Sequence, residues 1–397
     1  MTDVLVIGGG LAGWRAAEAA VGSGASVALV ANGAGNSPDI HALNVPVRPD
    51  DSVELFIEDT LRSGRGGCDR ALVETLCRGS VALADEFPFD RNPDGSYRLL
   101  QPLGCSVPRC VSIDHRIGAW ALAKIKQGLA GRVEAVKGRV TALSFDSRLS
   151  TFNFQLGDGD AEGEARSVVI ATGGWCGRYG FSDNPPELRG DGIDLAVSLG
   201  AATRDMDAVQ YEPTVALAPE RLRGIPVITT MLYEGATFRN AAGDEFLADS
   251  HANKDAISRA IFAEIEAGRG VHAGGSQSVA AAGVWFDATK VPRGLLDTVY
   301  VDTVRRYAAC GVDIHKEPML VAPAPHTSLG GIVIDARCRV LRADGSPVPG
   351  LFAAGEVTGG VHGLNRIGGN AGTEVLVFGR IAGLEAGRVH KPGASLG

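Results

Sequence analysis

The chain has 397 residues, 45% hydrophobic and 21% charged, with a formal net charge of −8. That leaves room for one large domain or two ordinary ones with a real core, and the negative balance argues against nucleic acid or an anionic membrane as partner. Seven scattered cysteines without a C-x-x-C pair argue against a metal site, an iron–sulfur cluster or a disulfide scaffold, and fit reduced thiols in a cytoplasmic protein. No apolar run reaches transmembrane length. With a first strand at Asp3, no room for a signal peptide is expected.

Residues 3–7 (DVLVI) predict a short buried strand. Gly8-Gly9-Gly10-Leu11-Ala12-Gly13 follows and matches G-x-G-x-x-G. An alanine-rich helix (WRAAEAAVGSG) and a second strand over 26–31 (SVALVA) complete the unit. Strand, glycine pattern, helix and strand within ~30 residues make a dinucleotide-binding fingerprint. Gly8 is assigned the tight turn, Gly10 the close approach to a diphosphate, and Gly13 the close helix–strand packing. Leu11 and Ala12 complete that cofactor-binding turn, and the helix N-terminus receives the phosphates. The acid expected after the second strand is absent. Asn32 or a backbone group stands in for it at the ribose.

Residues 33–50 read as a loop, and 51–87 as helical until Pro88 ends the pattern. Residues 90–115 read as irregular and 118–129 as a helix. The alternation over 133–145 predicts one strand, with Val136 taken as cofactor-binding. Residues 151–156 continue a small antiparallel sheet. Residues 167–174 (SVVIATGG) predict a buried strand running into a glycine turn, with Thr172 and Gly173 toward the cofactor. Gly190-Asp191-Gly192 opens an apolar helix, for which Asp191 reads as an N-cap. From about 205 to 320 prolines, aromatics and charges become more frequent. A second domain inserted into the first is expected there, with its clearest helix over 253–266. The chain then returns to a stretch, 350–379, in which nine of thirty residues are glycine. Such density is costly unless the backbone turns sharply or passes close to something. It predicts a glycine-lined wall against a flat, polar cofactor, ending on a helix N-terminus.

The segments GGGLAG, ATGG, GDGIDLA, QYEPT, HTSLGG and GLFAAGEVTGGVHGLNRIGGN occur in this order from Asp3 to about Gly387. In that combination the chain resembles the fumarate reductase, succinate dehydrogenase and L-aspartate oxidase flavoprotein family, and its last segment is most similar to the soluble fumarate reductase branch. The resemblance implies an α/β fold: a Rossmann-like FAD-binding domain, two-part in sequence (1–208 and 319–390), with an inserted α+β capping domain (209–318) and a tail (391–397). It implies that His326, in HTSLGG, and Arg366, in HGLNRIGG, bind a substrate carboxylate. It places Asp191, Gly355 and Glu356 on the FAD, and gives Asn370 and Ala371 backbone donors and a helix dipole toward the flavin ring. His362 reads as structural.

Three positions depart from the family pattern. Glu212, in QYEPT, stands where the family has His. Thr229-Thr230 stands where it has Thr-Glu, with Thr230 carried as the site residue. Lys254 stands where it has a proton-donating Arg. A carboxylate at 212 repels a second substrate carboxylate unless protonated, or pairs with an amine, a hydroxyl or Lys254. Lys254 reads as the acid/base or, more blandly, as an exposed helix-end lysine. Arg259, five residues on, faces elsewhere and is the weaker candidate. Covalent flavin attachment in the membrane complexes uses a His after a Ser near the second strand. Here Pro38 follows Ser37 and the nearest His is His41, so FAD is expected to be non-covalent. His41, His251, His272 and His315 read as surface or packing histidines. His115 and Cys105 lie in a segment that in the family passes near the isoalloxazine ring; Cys105 reads as a buried thiol, with a redox thiol as the alternative.

The expected function is therefore an FAD-dependent oxidoreductase moving a hydride between flavin N5 and a carbon adjacent to a carboxylate or carbonyl of a small organic acid. Two alternatives stay open. One is the flavoprotein component of a larger electron-transfer complex with a separate iron–sulfur partner. The other is a catalytically altered flavin-binding scaffold. The expected partners are a carboxylate-bearing substrate and, in the first alternative, an electron-transfer protein.

Overall fold

The computed structural model describes residues 1–389 except 103, 115, 158–160, 251 and 276–280, so His115, His251 and the 391–397 tail lie outside the described residues. The chain divides into two compact units. One comprises Met1–Trp175, Glu187–Val209 and Thr327–Gly397; the other comprises Cys176–Pro186 and Gln210–His326.

The first unit is built on a mixed sheet. Its spine runs Pro347–Ala353, Ala161–Ile170, Thr2–Ile7, Val27–Ala31, Glu134–Lys137, with every neighbour in this run parallel. Val4 to Ile7 and Val168 to Ile170 are buried without alternation, as strands covered on both faces must be. Arg339–Leu341 adds an antiparallel edge beside Pro347–Ala353. A hairpin of Val140–Asp146 and Thr151–Leu156 hooks onto Ala161–Ile170. The alternating stretch 133–145 is thus two strands, not one. Glu134–Lys137 joins the parallel spine, the chain breaks at Gly138 and Arg139, and the rest changes partner. Residues 43–44, expected in a loop, pair with Cys110–Val111 from the segment expected to be irregular.

Helix Leu11–Gly22 follows the first strand and packs along the last helix, Asn370–Arg388. The sequence spaces Gly379, Gly383 and Gly387 four apart on that last helix, hence on one face. A Cβ at Gly383 would lie 2.0 Å from the Ala16 carbonyl oxygen, so the two backbones approach as closely as glycine alone permits. The helical stretch 51–87 resolves into Val53–Ser63, capped by Ser52, Arg70–Ser80, capped by Asp69, and Leu83–Glu86.

The second unit carries its own sheet, in the order Val209–Ala216, Met319–Ser328, Ala282–Asp287, Thr237–Arg239, with Val271–His272 also paired to Ala282–Asp287. Helix Lys254–Glu266 buries Ile257, Ile261 and Ile265, spaced i, i+4, i+8 as an amphipathic helix requires. They belong to a core that includes Phe238, Val284, Phe286 and Tyr307.

Candidate functional site

In the first unit the glycine turn after the first strand is sterically obligatory. Gly8 has φ 125°, and a Cβ there would lie 2.1 Å from the Ala171 carbonyl oxygen; a Cβ at Gly13 would lie 2.0 Å from the Gly8 oxygen. Helix Leu11–Gly22 therefore begins directly against its strand. No side chain caps this helix, and none caps Asn370–Arg388. Uncapped helix N-termini are ready-made acceptors of anionic and carbonyl groups. Ser37 Oγ takes the Leu11 amide at 2.7 Å. That hydroxyl holds the loop considered above for covalent attachment. The Thr172 hydroxyl is buried without a hydrogen-bond partner, an orphan of the kind a bound polar cofactor would satisfy. These features fit FAD.

The remaining cofactor candidates of this unit are placed as follows. Asn32 is exposed just past strand Val27–Ala31, and Val136 is half-buried in register with Val30. Gly173 and Gly355 have φ of 77° and 79°. Glu356 accepts from both the amide and the hydroxyl of Ser328 at 2.9 Å. Asp191 is not the N-cap. Gly190, in a left-handed conformation, occupies that place, and Asp191 pairs with Arg139 at 2.6 Å. Asn370 is fully buried; it accepts from Asn44 Nδ2 at 2.6 Å and donates to Thr60 at 3.3 Å. Ala371 is half-buried in the first turn beside it. Thr373 both donates to and accepts from the Asn44 backbone. The N-terminus of the last helix is thereby fixed.

Arg366 is half-buried and donates to the Ile367 carbonyl at 3.2 Å. His362 and Glu374, both buried, meet at 3.0 Å and bracket the loop that bears Arg366. Sequence reasoning passed over Asn44 and a buried network around Arg109. Arg109 is fully buried, binds Asp51 through two bonds at 2.8 and 3.0 Å, and binds Asp59 at 2.8 Å. Burial pushes the Cys105 thiol up to about 12, which keeps it protonated and disfavours a thiolate redox role.

In the second unit the structure gathers four polar side chains around Glu212. Glu212 and Thr214 share one face of strand Val209–Ala216 because they are two residues apart. Glu212 is buried; one carboxylate oxygen pairs with Lys254 Nζ, and the other accepts from Thr229 at 2.7 Å and Thr214 at 3.2 Å. Burial works to raise this carboxyl. The charges of Lys254 and His326, with the bonds from Lys254 and Thr229, outweigh it and hold it down at about 2. Glu212 is therefore an anion at neutral pH. Lys254 opens helix Lys254–Glu266, whose N-cap is Asn253. A cation there stands against the helix dipole, and Glu212 supplies the compensating charge. About a third of the Lys254 side chain is exposed.

His326 Nδ1 lies 2.7 Å from Asp183 Oδ2. Asp183 is carried by the segment Cys176–Pro186, which Ser182 and Asn184 tie to the Pro325 and His326 carbonyls. His326 thus joins Glu212 and Lys254 in one cluster. Thr230 does not: Thr229 turns inward to Glu212, whereas Thr230 is exposed and hydrogen-bonded to Tyr300. Arg259 pairs with Asp255. Asp183 and Thr214 escaped the sequence reading. The period-two spacing from Glu212 was a usable signal for Thr214, while Asp183, in a polar loop before two prolines, had none.

Comparison with known proteins places this geometry. The family described as FAD binding domain matches residues 3–371. The large flavoprotein chain of the CoM/CoB fumarate reductase of Methanothermobacter marburgensis is 32% identical over 97% of this chain and 72% of its own length. L-aspartate oxidase of Caulobacter vibrioides is 32% identical over 96% of this chain and 75% of its own. Among solved structures, a mutant FrdA of E. coli quinol fumarate reductase superposes with a TM-score of 0.83 at 25% identity, covering 99% of this chain and 72% of that one. Among the described residues no helix is long and apolar enough to cross a membrane.

Proposed function

Because this chain belongs to the FAD binding domain family and is an FAD-dependent oxidoreductase of the fumarate reductase and L-aspartate oxidase kind, we propose that it acts on a carbon adjacent to the carboxylate or carbonyl of a small organic acid. FAD, when bound, supplies the hydride donor or acceptor. The uncapped N-termini at Leu11 and Asn370, the Thr172 hydroxyl and Gly173 are the groups that would hold it, without a covalent bond. Arg366 would hold the acid group, since a planar guanidinium matches a carboxylate with two parallel bonds. His326 would assist, oriented through Nδ1 by Asp183. Lys254 would give or take the proton at Nζ.

The observation that carries this reading is the Glu212–Lys254 pair. A partly exposed ammonium is held in place by a buried carboxylate that two threonines hold in turn. That makes Glu212 a positioning residue acting through Lys254, rather than a group that meets substrate. The test is an anaerobic screen of carboxylic and amino acids for bleaching of the FAD absorbance, and of unsaturated acids for its return. Arg366→Ala should slow the productive reaction about 100-fold or more. An unchanged rate refutes the role of Arg366, and a flavin that no acid reduces or reoxidises refutes the reading as a whole. A second reading, a flavoprotein that works with a separate iron–sulfur partner, is supported by the Methanothermobacter relative, which is one component of a multi-chain fumarate reductase. Co-purification of an iron–sulfur protein would favour it.

A further inference from the structure

We propose that the substrate carries a single carboxylate and presents to the second unit an uncharged polar group, a carbonyl or hydroxyl. This rests on the assignment of that unit to the substrate made above. Charge balance is the ground for it. Lys254 is paired with Glu212, His326 with Asp183, and Arg259, on the same helix, with Asp255. Even with His326 protonated, the two cations and two carboxylates of the cluster cancel. The carboxylates are also the more deeply buried member of each pair, with side-chain exposures of 6% for Glu212 and 5% for Asp183 against 32% and 28% for Lys254 and His326. They cannot be swung away to release a cation.

A carboxylate entering this cluster loses its hydration and gains no net positive charge in return, which is unfavourable. The threonines add nothing for it, because the hydroxyls of Thr214 and Thr229 already serve Glu212, each other and the Val227 carbonyl. A neutral oxygen is suited differently. An ammonium has three donors, Glu212 engages one, and a carbonyl or hydroxyl can accept another without adding charge. The same contact polarises a carbonyl and puts the acid next to it.

Matched probes test this on the FAD-loaded enzyme: fumarate against monomethyl fumarate, and succinate against succinamate. Binding is read by calorimetry and by the flavin spectrum, and reaction by anaerobic reduction or reoxidation. The neutral-ended member of each pair should bind at least tenfold more tightly. Glu212→Gln, which leaves the cluster one positive charge in excess, should move that ratio at least tenfold toward the dicarboxylate. Adding Lys254→Met to it should move the ratio back. A tenfold wild-type preference for the dicarboxylate, no binding of either member, or a ratio indifferent to Glu212→Gln overturns the proposal. If Glu212→Gln does not fold, the wild-type ratio alone decides. Should the ratio hold while neither acid reacts, the hydride-transfer reading fails and the charge preference stands. Should the enzyme react and prefer the dicarboxylate, the hydride-transfer reading stands and the charge preference fails.

Discussion

Replacing Gly383 by alanine should destabilise the protein although alanine is the better helix former. The site lies mid-helix, where alanine is worth about 1 kcal/mol over glycine. Against that stands the crossing with helix Leu11–Gly22. The new Cβ would sit 2.0 Å from the Ala16 carbonyl oxygen and 2.7 Å from its carbon, both backbone atoms without a rotamer to change. The helices would have to part by roughly 1 Å, an overpacking strain of about 1–3 kcal/mol. The balance is a net loss of up to about 2 kcal/mol. Gly387→Ala is the control on the same helix. Its Cβ meets the Ser23 hydroxyl at 2.1 Å, the end of a side chain that can rotate away, so stability should change by less than about 1 kcal/mol. Urea midpoints of the FAD-free proteins measure both. FAD titration gives a second readout, because parting these helices displaces the two N-termini assigned to the cofactor. Gly383→Ala should weaken FAD binding up to about tenfold, the equivalent of 1.4 kcal/mol. Equal stability of Gly383→Ala and Gly387→Ala would show that the close crossing is not what glycine is there for.

Two further outcomes follow from the buried charges. The Glu212 carboxyl falls from an ordinary 4.5 to about 2 on folding, so its stabilisation is present above pH 4.5 and is lost as pH drops toward 2. Over that whole window the loss is about 3 kcal/mol. Urea midpoints taken from pH 5 down to 3 should fall more steeply in wild type than in Glu212→Gln, and parallel slopes would refute the assignment. Arg109→Met should cost about 3–5 kcal/mol by leaving two buried carboxylates unpaired. Adding Asp51→Asn and Asp59→Asn should recover much of it, and denaturant unfolding that ranks the triple variant below the single one would contradict this.

The cofactor half of the protein was legible in the sequence because its requirements are local. A strand, a glycine turn and a helix announce themselves within one window, and 350–379 carries glycines for which packing against backbone leaves no substitute. The losses have physical causes. Alternation over 133–145 reports two exposed-edge faces but not the point at which a strand changes partner, so Glu134–Lys137 and Val140–Asp146 merged. Thr229 and Thr230 are adjacent in a tight turn, where neighbouring side chains point a third of a turn apart, and nothing local tells which one faces Glu212. Arg109 meets Asp51 and Asp59 across fifty residues or more, and a charge pattern on one strand or helix does not encode that. Glu212 and Lys254 were each visible as departures from a family pattern. That they answer one another emerged from the fold.

All the partners of the Glu212 cluster, from Asp183 to His326, lie within the one compact unit formed by Cys176–Pro186 and Gln210–His326. The groups that determine its charge can therefore be rewritten together while the glycine-bound framework stays untouched. For a designer this makes the unit a cassette. Exchanging Glu212, Lys254 and Asp183 as a set tunes which acids are admitted, and the stability of the cofactor half can be followed independently as the check that nothing else has moved.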